Sequence, residues 1–524
     1  MDASAITARA GRWAISLLAI LLAGPLLVVV TSPLHTAAPE WSHVLNNLLP
    51  AQTGETLLLL AIALTTALLI AVPCAWLVTM FQFPGRRFFG WALVLPLALP
   101  TYIAAYTWAA LLGPTGSISL WCAAHIGVKP DILNLCGLGI VLGLVLYPYI
   151  YLPVRAMFSR GMSVQIEAAR TLGASGHALF MRVAVPLARP AIAAGALLLS
   201  MEVLNDYGAV KYYGVRTLTT GMFRSWGGLR DLGSALRIGI VLLMLVGILL
   251  WLERRSRRRA SPATDQVITK RSLLSLRSRW IAFVGCAFVI LIAAGLPLWK
   301  IIGDAIAVWE LNDHAPVFEA LGHTALLACC AAIITMLVAV LFTFRERHGR
   351  RSDLAIRAAN LGYAIPGAVI ALGAMVLAGP LDRGEWVGPV LIGSVGLLLY
   401  AYSVRFLAVG TQPLFGALRS QPRALDEAAQ MLGASHWRTF RRINLPLLRP
   451  AVLAAAMLVA VDVIKELPLT LILRPFNFET LSTTTYRFAG IEQLREASLP
   501  ALLIVLCAVA PLLLLERLLG RTGR

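Results

Sequence analysis

Charge is scarce in this chain. Of its 524 residues only 14% are Asp, Glu, Lys or Arg, whereas soluble domains carry about 25%. Stretches of roughly 18–25 apolar residues recur along the whole length, each long enough to cross a bilayer as a helix. That pattern excludes a soluble globular protein. Strict polar–apolar alternation is missing from these runs, which excludes a closed β-barrel. Histidine is thin as well. The eight residues, His35, His43, His125, His177, His314, His323, His348 and His436, are scattered and form no H-E-x-x-H. No nucleophile–base pair or metal cluster marks an enzyme site. A G-x4-G-K-[ST] phosphate loop is absent, so the chain is expected neither to hydrolyse ATP nor to bind a cofactor of its own.

Seven cysteines occur without a C-x-x-C or a Cys/His cluster, so none reads as a metal ligand. Cys74, Cys286, Cys329, Cys330 and Cys507 lie in apolar runs and read as packing residues. Cys122 and Cys136 share one loop on the side expected to be outside, where a disulfide is permitted. Both a Cys122–Cys136 bridge and two free thiols fit that placement.

Basic residues outnumber acidic ones by 45 to 26, a net charge of +19. A nucleic-acid partner is not the reading, because the excess falls between apolar runs, as the positive-inside rule describes. Twelve candidate spans cover residues 13–31, 55–80, 88–112, 137–157, 188–206, 235–252, 279–298, 322–343, 356–379, 388–409, 448–472 and 496–516. The loop 32–54 has no Lys or Arg, whereas "FPGRR" (83–87) has two and "FRERHGRRSD" (344–353) has four. A strongly basic, Ser- and Pro-containing linker, 253–278, divides the chain into two halves, 1–252 and 279–524. With six spans on either side, both termini are expected on the linker's cytoplasmic side, in agreement with Arg517, Arg521 and Arg524. The apolar run after Arg9 and Arg12 is long for a signal peptide and reads as an uncleaved first helix. The fold class is therefore an all-α polytopic membrane protein embedded in a lipid bilayer.

An internal repeat organises the rest. Residues 167–206 and 427–466 align at an offset of 260 without a gap, with 18 of 40 positions identical. Upstream, Thr56 matches Thr324, Pro100 matches Pro366, and Gly113-Pro114 matches Gly379-Pro380. Two six-span copies in parallel orientation follow, related by an axis along the membrane normal.

Between its fourth and fifth spans each half carries the same loop. Glu167, Ala168, Ala169 and Gly173 are followed by Val183, Val185 and Pro186. Glu427, Ala428, Ala429 and Gly433 are followed by Ile443, Leu445 and Pro446. Alanine favours helix and glycine supplies the left-handed turn that ends it, so each loop reads as two short helices around a glycine. Pro190 and Pro450 suit the first turn of the next span. A helical hairpin that merely links spans would not need equal spacing in two copies on the basic side. The pattern resembles the EAA loop of ABC importer permeases, E-A-A-x3-G-x9-I-x-L-P, with Val183 and Val185 as conservative departures. The resemblance implies coupling helices that dock in clefts of a separate cytoplasmic ABC ATPase, two copies of which would carry ATP and Mg. It also implies a periplasmic substrate-binding protein and a bacterial inner-membrane location.

Asp462, Lys465 and Glu466 place three charges in five residues late in the eleventh span. Spaced i, i+4, Asp462 and Glu466 are expected on one helix face, with Lys465 able to pair with Asp462 and Pro468 kinking the helix. Glu202 and Asp206 occupy the matching positions of the first half, where Asn205 stands for Lys465. Charges at this depth read either as a constriction lining a translocation path or as pairs holding the bundle in register. The segment "KELPLTLILRPFNFETLSTTTYRFA" and its counterpart "MEVLNDYGAV" resemble the fused, two-repeat permeases of ferric-iron importers. Thiamine, phosphonate, sulfate and polyamine permeases share the architecture. A twelve-span carrier driven by an ion gradient is the rival that hydropathy alone leaves open.

Overall fold

In a computed structural model, the described residues are 3–32, 41–160, 163–258, 272–273, 275–310, 313–348, 354–383 and 391–509. Most of the basic linker (259–271 and 274), His35, residues 349–353, the end of the last span (510–516) and Arg517, Arg521 and Arg524 lie outside them. Among the described residues, each of the twelve apolar stretches lies largely on helix. Five helices are continuously long and apolar enough to span: Trp41–Met80, Leu232–Ser256, Leu276–Val308, Ala315–Arg347 and His436–Lys465. Three bent helix pairs are long and apolar enough only when taken together, Arg86–Ala98 with Thr101–Ile126 (91°), Leu135–Leu146 with Pro148–Ser159 (41°), and Gly176–Leu187 with Arg189–Asn205 (67°). Shorter apolar helices, Ile15–Thr31, Gly367–Asp382 and Ser498–Val509, and the helix Val395–Arg419 complete the set.

The bends have chemical causes. A residue before proline is pushed out of the α region, and Leu99 (ψ 119°) and Ile365 (ψ 130°) are extended ahead of Pro100 and Pro366. The expected span 88–112 is therefore two pieces at nearly a right angle. Pro190 does open its helix, Arg189–Asn205, as expected. Pro450 does not: it lies inside a continuous helix, Leu445–Lys465, which opens instead with Pro446. Sequence that matches position for position thus bends in one repeat and runs straight in the other.

Small residues set how closely the helices approach. Ala63, Ala67, Ala71 and Ala75 form an i, i+4 stripe with no exposed area, and the helices Leu135–Leu146 and Pro148–Arg160 pack against that part of Leu49–Met80. In the second repeat Ala331, Thr335, Ala339 and Thr343 repeat the stripe, again fully buried. Such stripes let backbones come close where lipid offers no hydrophobic drive. Outward faces are apolar and exposed, as at Leu69, Met244, Ile306 and Leu337.

The two repeats interlock through their first helices. The helix Ala3–Thr31 packs on Leu354–Ala359 and Gly367–Arg383 of the second repeat, where the Tyr400 hydroxyl donates to the Leu21 carbonyl at 2.6 Å. Reciprocally, Leu276–Ile290 packs on Leu49–Met80 and Arg86–Ala92 of the first repeat, with the Phe89 and Phe283 rings 5.2 Å apart edge to face. A two-residue parallel strand pair, Phe81–Gln82 with Ser272–Leu273, ties the linker's end to the first repeat. One continuous apolar core runs through both halves.

After the fifth span of each repeat the chain turns into a short helix, then a longer one opened by a reciprocal threonine cap, Thr217–Thr220 or Thr480–Thr483. Thr56 Oγ1 accepts the Leu218 N–H at 3.0 Å, and Thr324 Oγ1 accepts the Leu481 N–H at 2.9 Å. These buried bonds pin the two copies of the turn to the second and eighth spans. Thr324→Val leaves the Leu481 N–H without an acceptor, which costs about 1–3 kcal/mol. A thermal melt of the purified chain should drop by several degrees, and an unchanged midpoint would show that the bond is dispensable.

Candidate functional site

Two hairpins and one midline cavity carry the features that packing alone does not require. Each hairpin begins with a short helix, Ser163–Thr171 or Ala424–Met431. It ends at a glycine in the left-handed region, Gly173 (φ 87°) or Gly433 (φ 79°). Gly173 N–H donates to Arg170 O at 3.0 Å and Ala174 N–H to Ala169 O at 2.9 Å. Gly433 N–H donates to Gln430 O at 2.9 Å and Ala434 N–H to Ala429 O at 3.0 Å. This is the paired closure of a Schellman motif. Glu167, Ala168, Glu427 and Ala428 are exposed, Ala169 is half-buried and Ala429 is buried. Beside the glycines, Leu172 and Leu432 are 88% and 89% exposed, and Met431 matches them at 89%. Sequence reading had passed over this apolar knob because leucine in a helical hairpin is unremarkable until its exposure is known.

Behind each glycine the second helix carries a π-helical turn, Phe180–Ala184 or Phe440–Asn444, which aims an aromatic ring at the second or eighth span. Phe180 meets Trp76 at 5.5 Å, and Phe440 meets Phe344 at 5.3 Å. The remaining support differs between copies. In the second, Arg347 Nε donates to Asp426 Oδ2 at 2.5 Å and its guanidinium also reaches the carbonyls of Leu418, Gln421 and Pro422. Asn444 Nδ2 donates to Asp426 Oδ1 at 3.0 Å. At the matching positions the first copy has Thr79, Ile166 and Ala184, all buried. One hairpin is held by an ionic network and the other by apolar packing.

The cavity, about 90 Å3, lies between the repeats and is lined by Glu202, Asp206, Asp462, Lys465 and Glu466. All five candidate path residues thus surround one space. Their local arrangement differs from the expectation in two respects. Asp462 and Glu466 do not share a helix face, because the helix ends at Lys465 and Glu466 is extended (ψ 122°). The cause is a carboxylate cap: Glu466 Oε1 accepts the Leu469 N–H at 3.1 Å at the start of the next short helix. Asp206 (ψ 128°) does the same in the first repeat, accepting the Ala209 N–H at 2.9 Å. Ser482 and Thr219 hydroxyls satisfy the helix-end carbonyls of Ile464 and Leu204 at 2.7 and 2.8 Å. The second difference concerns Lys465, whose ammonium donates to the Leu97 carbonyl at 2.7 Å rather than bonding Asp462. Its counterpart Asn205 makes the mirror contact, its Oδ1 accepting the Gly367 N–H at 2.7 Å. Each repeat therefore reaches across to the proline break of the other.

Glu202 Oε1 accepts the Tyr149 and Tyr363 hydroxyls, one from each repeat, at 3.3 and 3.4 Å. Glu466 pairs with Arg405 at 3.1 Å in a fully buried contact, and Arg405 Nη1 donates to the Ile365 carbonyl at 2.8 Å. Arg405 was missed as a candidate, yet it is the lone charge in the span 388–409, and a charge at such depth is itself a signal. Cys122 and Cys136 are free thiols. They sit on separate helices, Ser117–Ile126 and Leu135–Leu146, and their loop is closed instead by Ser119 Oγ donating to the Pro130 carbonyl at 2.7 Å.

A duplicated helical bundle with paired hairpins and a charged midline cavity defines a transport permease subunit of an ABC importer, not an enzyme. The chain belongs to the family described as binding-protein-dependent transport system inner membrane component, whose pattern matches residues 66–260 and again 331–522. It is 25% identical over 492 residues to the Fe(3+)-transport system permease protein FbpB 2 of Haemophilus influenzae, covering 91% of this chain and 90% of that one. A probable ABC transporter permease protein, y4fN of Sinorhizobium fredii, is 26% identical over 475 residues, covering 84% and 83%. The sulfate transport system permease protein CysT of Escherichia coli is 30% identical over 173 residues, 33% of this chain and 62% of that one. Among solved structures, a bacterial alginate ABC transporter in complex with its alginate-bound periplasmic protein aligns with 48% of this chain and 97% of its own, at 14% identity and a TM-score of 0.39.

Removing one member of the buried pair Arg347–Asp426 strands the other, which costs about 3–5 kcal/mol. Asp426→Ala should therefore melt well below wild type. The triple change Arg347→Thr, Asp426→Ile, Asn444→Ala, which installs the first copy's residues, should recover most of the loss. Equal melting of the single and triple variants would show that the network adds nothing beyond packing.

Proposed function

We propose that this chain is the membrane-spanning permease of a ferric-iron importer. The observation that carries the reading is the acid surplus of the midline cavity, where four carboxylates face two cationic side chains. Carboxylates and phenols are hard oxygen groups suited to hard cations, and a negative cavity repels a dianion such as sulfate. Similarity over nine-tenths of the chain to an Fe(3+)-transport permease supports the same cargo.

In this reading a substrate-binding protein delivers iron on the periplasmic face. The hairpins around Gly173 and Gly433 lie on the cytoplasmic side, with both termini. Each inserts its exposed leucine, Leu172 or Leu432, and the adjoining Glu-Ala-Ala surface into a cleft of an ABC ATPase, two copies of which bind ATP and Mg. Closure of the ATPase pair pulls the hairpins. The rings of Phe180 and Phe440 pass the movement to Trp76 and Phe344, and the halves rock to expose the cavity alternately to either side. An ion-gradient carrier has no use for two such hairpins.

Proline cannot adopt a positive φ, so Gly173→Pro with Gly433→Pro should abolish uptake while the chain still inserts and reaches normal levels. Radio-iron uptake in a strain lacking the chain, complemented by wild type or by this variant, is the measurement, with sulfate, thiamine and phosphonate uptake as controls. Loss of sulfate uptake with normal iron uptake in the deletion strain would replace iron by sulfate as cargo. Wild-type rates in the variant would remove the hairpins from the mechanism.

A further inference from the structure

The cavity's charges are not all spoken for. Arg405 is committed to Glu466 and to the Ile365 carbonyl. Asp206 uses Oδ1 to cap the next helix, while its Oδ2, in a side chain 95% buried, makes no hydrogen bond of normal geometry. The Tyr102 hydroxyl, in a side chain 96% buried and lining the same space, likewise makes no hydrogen bond of normal geometry. Among the described residues Glu202 receives two long phenol contacts and no other hydrogen bond. Among the described residues no hydrogen bond or ion pair reaches Asp462. An ammonium can donate three bonds, yet Lys465 makes one, to the neutral Leu97 carbonyl. Asp462 and Glu202 are the carboxylates whose field acts on it.

We propose that Lys465 is a tethered counter-ion: its ammonium compensates Asp462 and Glu202 when the cavity is empty, and a hard cation entering the cavity displaces it. The inference rests on the reading of the cavity as a cation path. Three observations carry it. The lysine has no cationic counterpart: the matching Asn205 reaches across the repeats with a neutral side chain, accepting from the Gly367 N–H where Lys465 donates to the Leu97 carbonyl. Its tether is a single bond to a neutral acceptor, which can be released without stranding a charge. The groups it leaves behind, Asp462, Glu202, Asp206 Oδ2 and the Tyr102 hydroxyl, are oxygen donors lacking full partners. No three carboxylates converge among the described residues in this conformation, so the cation is held by charge rather than by a chelating shell. Weak holding suits passage, since a path must release what it admits.

Lys465→Asn is the informative variant, because it installs the residue already used at the matching place in the first repeat. The full chain in nanodiscs is titrated with Tb3+, a hard trivalent probe whose emission is sensitised by nearby tyrosine. Lys465→Asn should gain one Tb3+ site with affinity roughly tenfold or more above any site of wild type, a shift of about 1.4 kcal/mol. Lys465→Arg should titrate like wild type. Adding Glu202→Gln and Asp462→Asn to Lys465→Asn should remove the gain. A Lys465→Asn curve superimposable on wild type, or a gained site that survives loss of Glu202 and Asp462, overturns the proposal. If Lys465→Asn does not give a folded chain, Lys465→Gln takes its place with the same expectations. The readout needs neither ATPase nor binding protein. A failure of iron uptake to depend on this chain would therefore refute the cargo assignment without touching the Tb3+ result, and the reverse holds equally.

Discussion

Everything at the midline depends on how each repeat ends its fifth span. Asp206 and Glu466 break their helices by capping the first turn of the segment that follows, and the Thr219 and Ser482 hydroxyls satisfy the carbonyls that the break exposes. A carboxylate placed in an apolar bundle is costly unless it is hydrogen-bonded or paired. Here the cap supplies part of that compensation and at the same time fixes where the chain turns. The turn brings position 205 or 465 against the proline break of the opposite repeat, so that Asn205 reaches Gly367 and Lys465 reaches Leu97. Gly367 must lack a side chain for this to work, since a Cβ there would lie 2.5 Å from Glu466 Oε1. The cavity is the space left between these crossed ties.

From the hairpins to that cavity there is continuous packed structure. The Schellman closures at Gly173 and Gly433 hold the exposed leucines out, the π-helical turns aim Phe180 and Phe440 at Trp76 and Phe344, and those residues sit on the helices whose other ends carry Thr56 and Thr324. Thr56 and Thr324 in turn hold the turn that follows the cavity acids. Each of these two helices therefore carries a hairpin contact at one end and a hydrogen bond to the cavity turn at the other.

Much of this was legible in the sequence because it is repetitive. The apolar runs, the offset of 260 across the hairpins and the offset of 268 from Thr56 to Thr324 all survive in three dimensions as matched helices and matched hydrogen bonds. What was not legible came from contacts between residues far apart in the chain. The break at Glu466 could not be read from i, i+4 spacing, because a carboxylate three residues ahead of a free N–H competes with the helix only if the next segment starts there. Pro450 tolerates a straight helix where Pro190 sits beside a bend, and the shared Pro-Leu-x-Arg-Pro-Ala pattern gives no warning of it. Lys465 had Asp462 within one turn and bonded instead to a carbonyl 368 residues away. Arg405 was visible as a lone charge in an apolar span, but its partner was not.

Fusion of the repeats makes the cavity's charge an adjustable quantity. Matching "GLVLYPY" (143–149) with "GLLLYAY" (396–402) sets Arg405 against Leu152, and the longer repeat sets Lys465 against Asn205. Both cations of the cavity therefore belong to the second repeat alone, whereas each repeat contributes two carboxylates. A symmetric pair of second repeats would bring four carboxylates and four cations, a neutral cavity closed by its own ion pairs. A symmetric pair of first repeats would bring four carboxylates and no cation, a charge too large to bury without a permanently bound ion. Only the fused chain, with one repeat of each kind, sets four carboxylates against two cationic side chains. The same divergence gives one hairpin an ionic support and the other an apolar one, which a symmetric pair could not have.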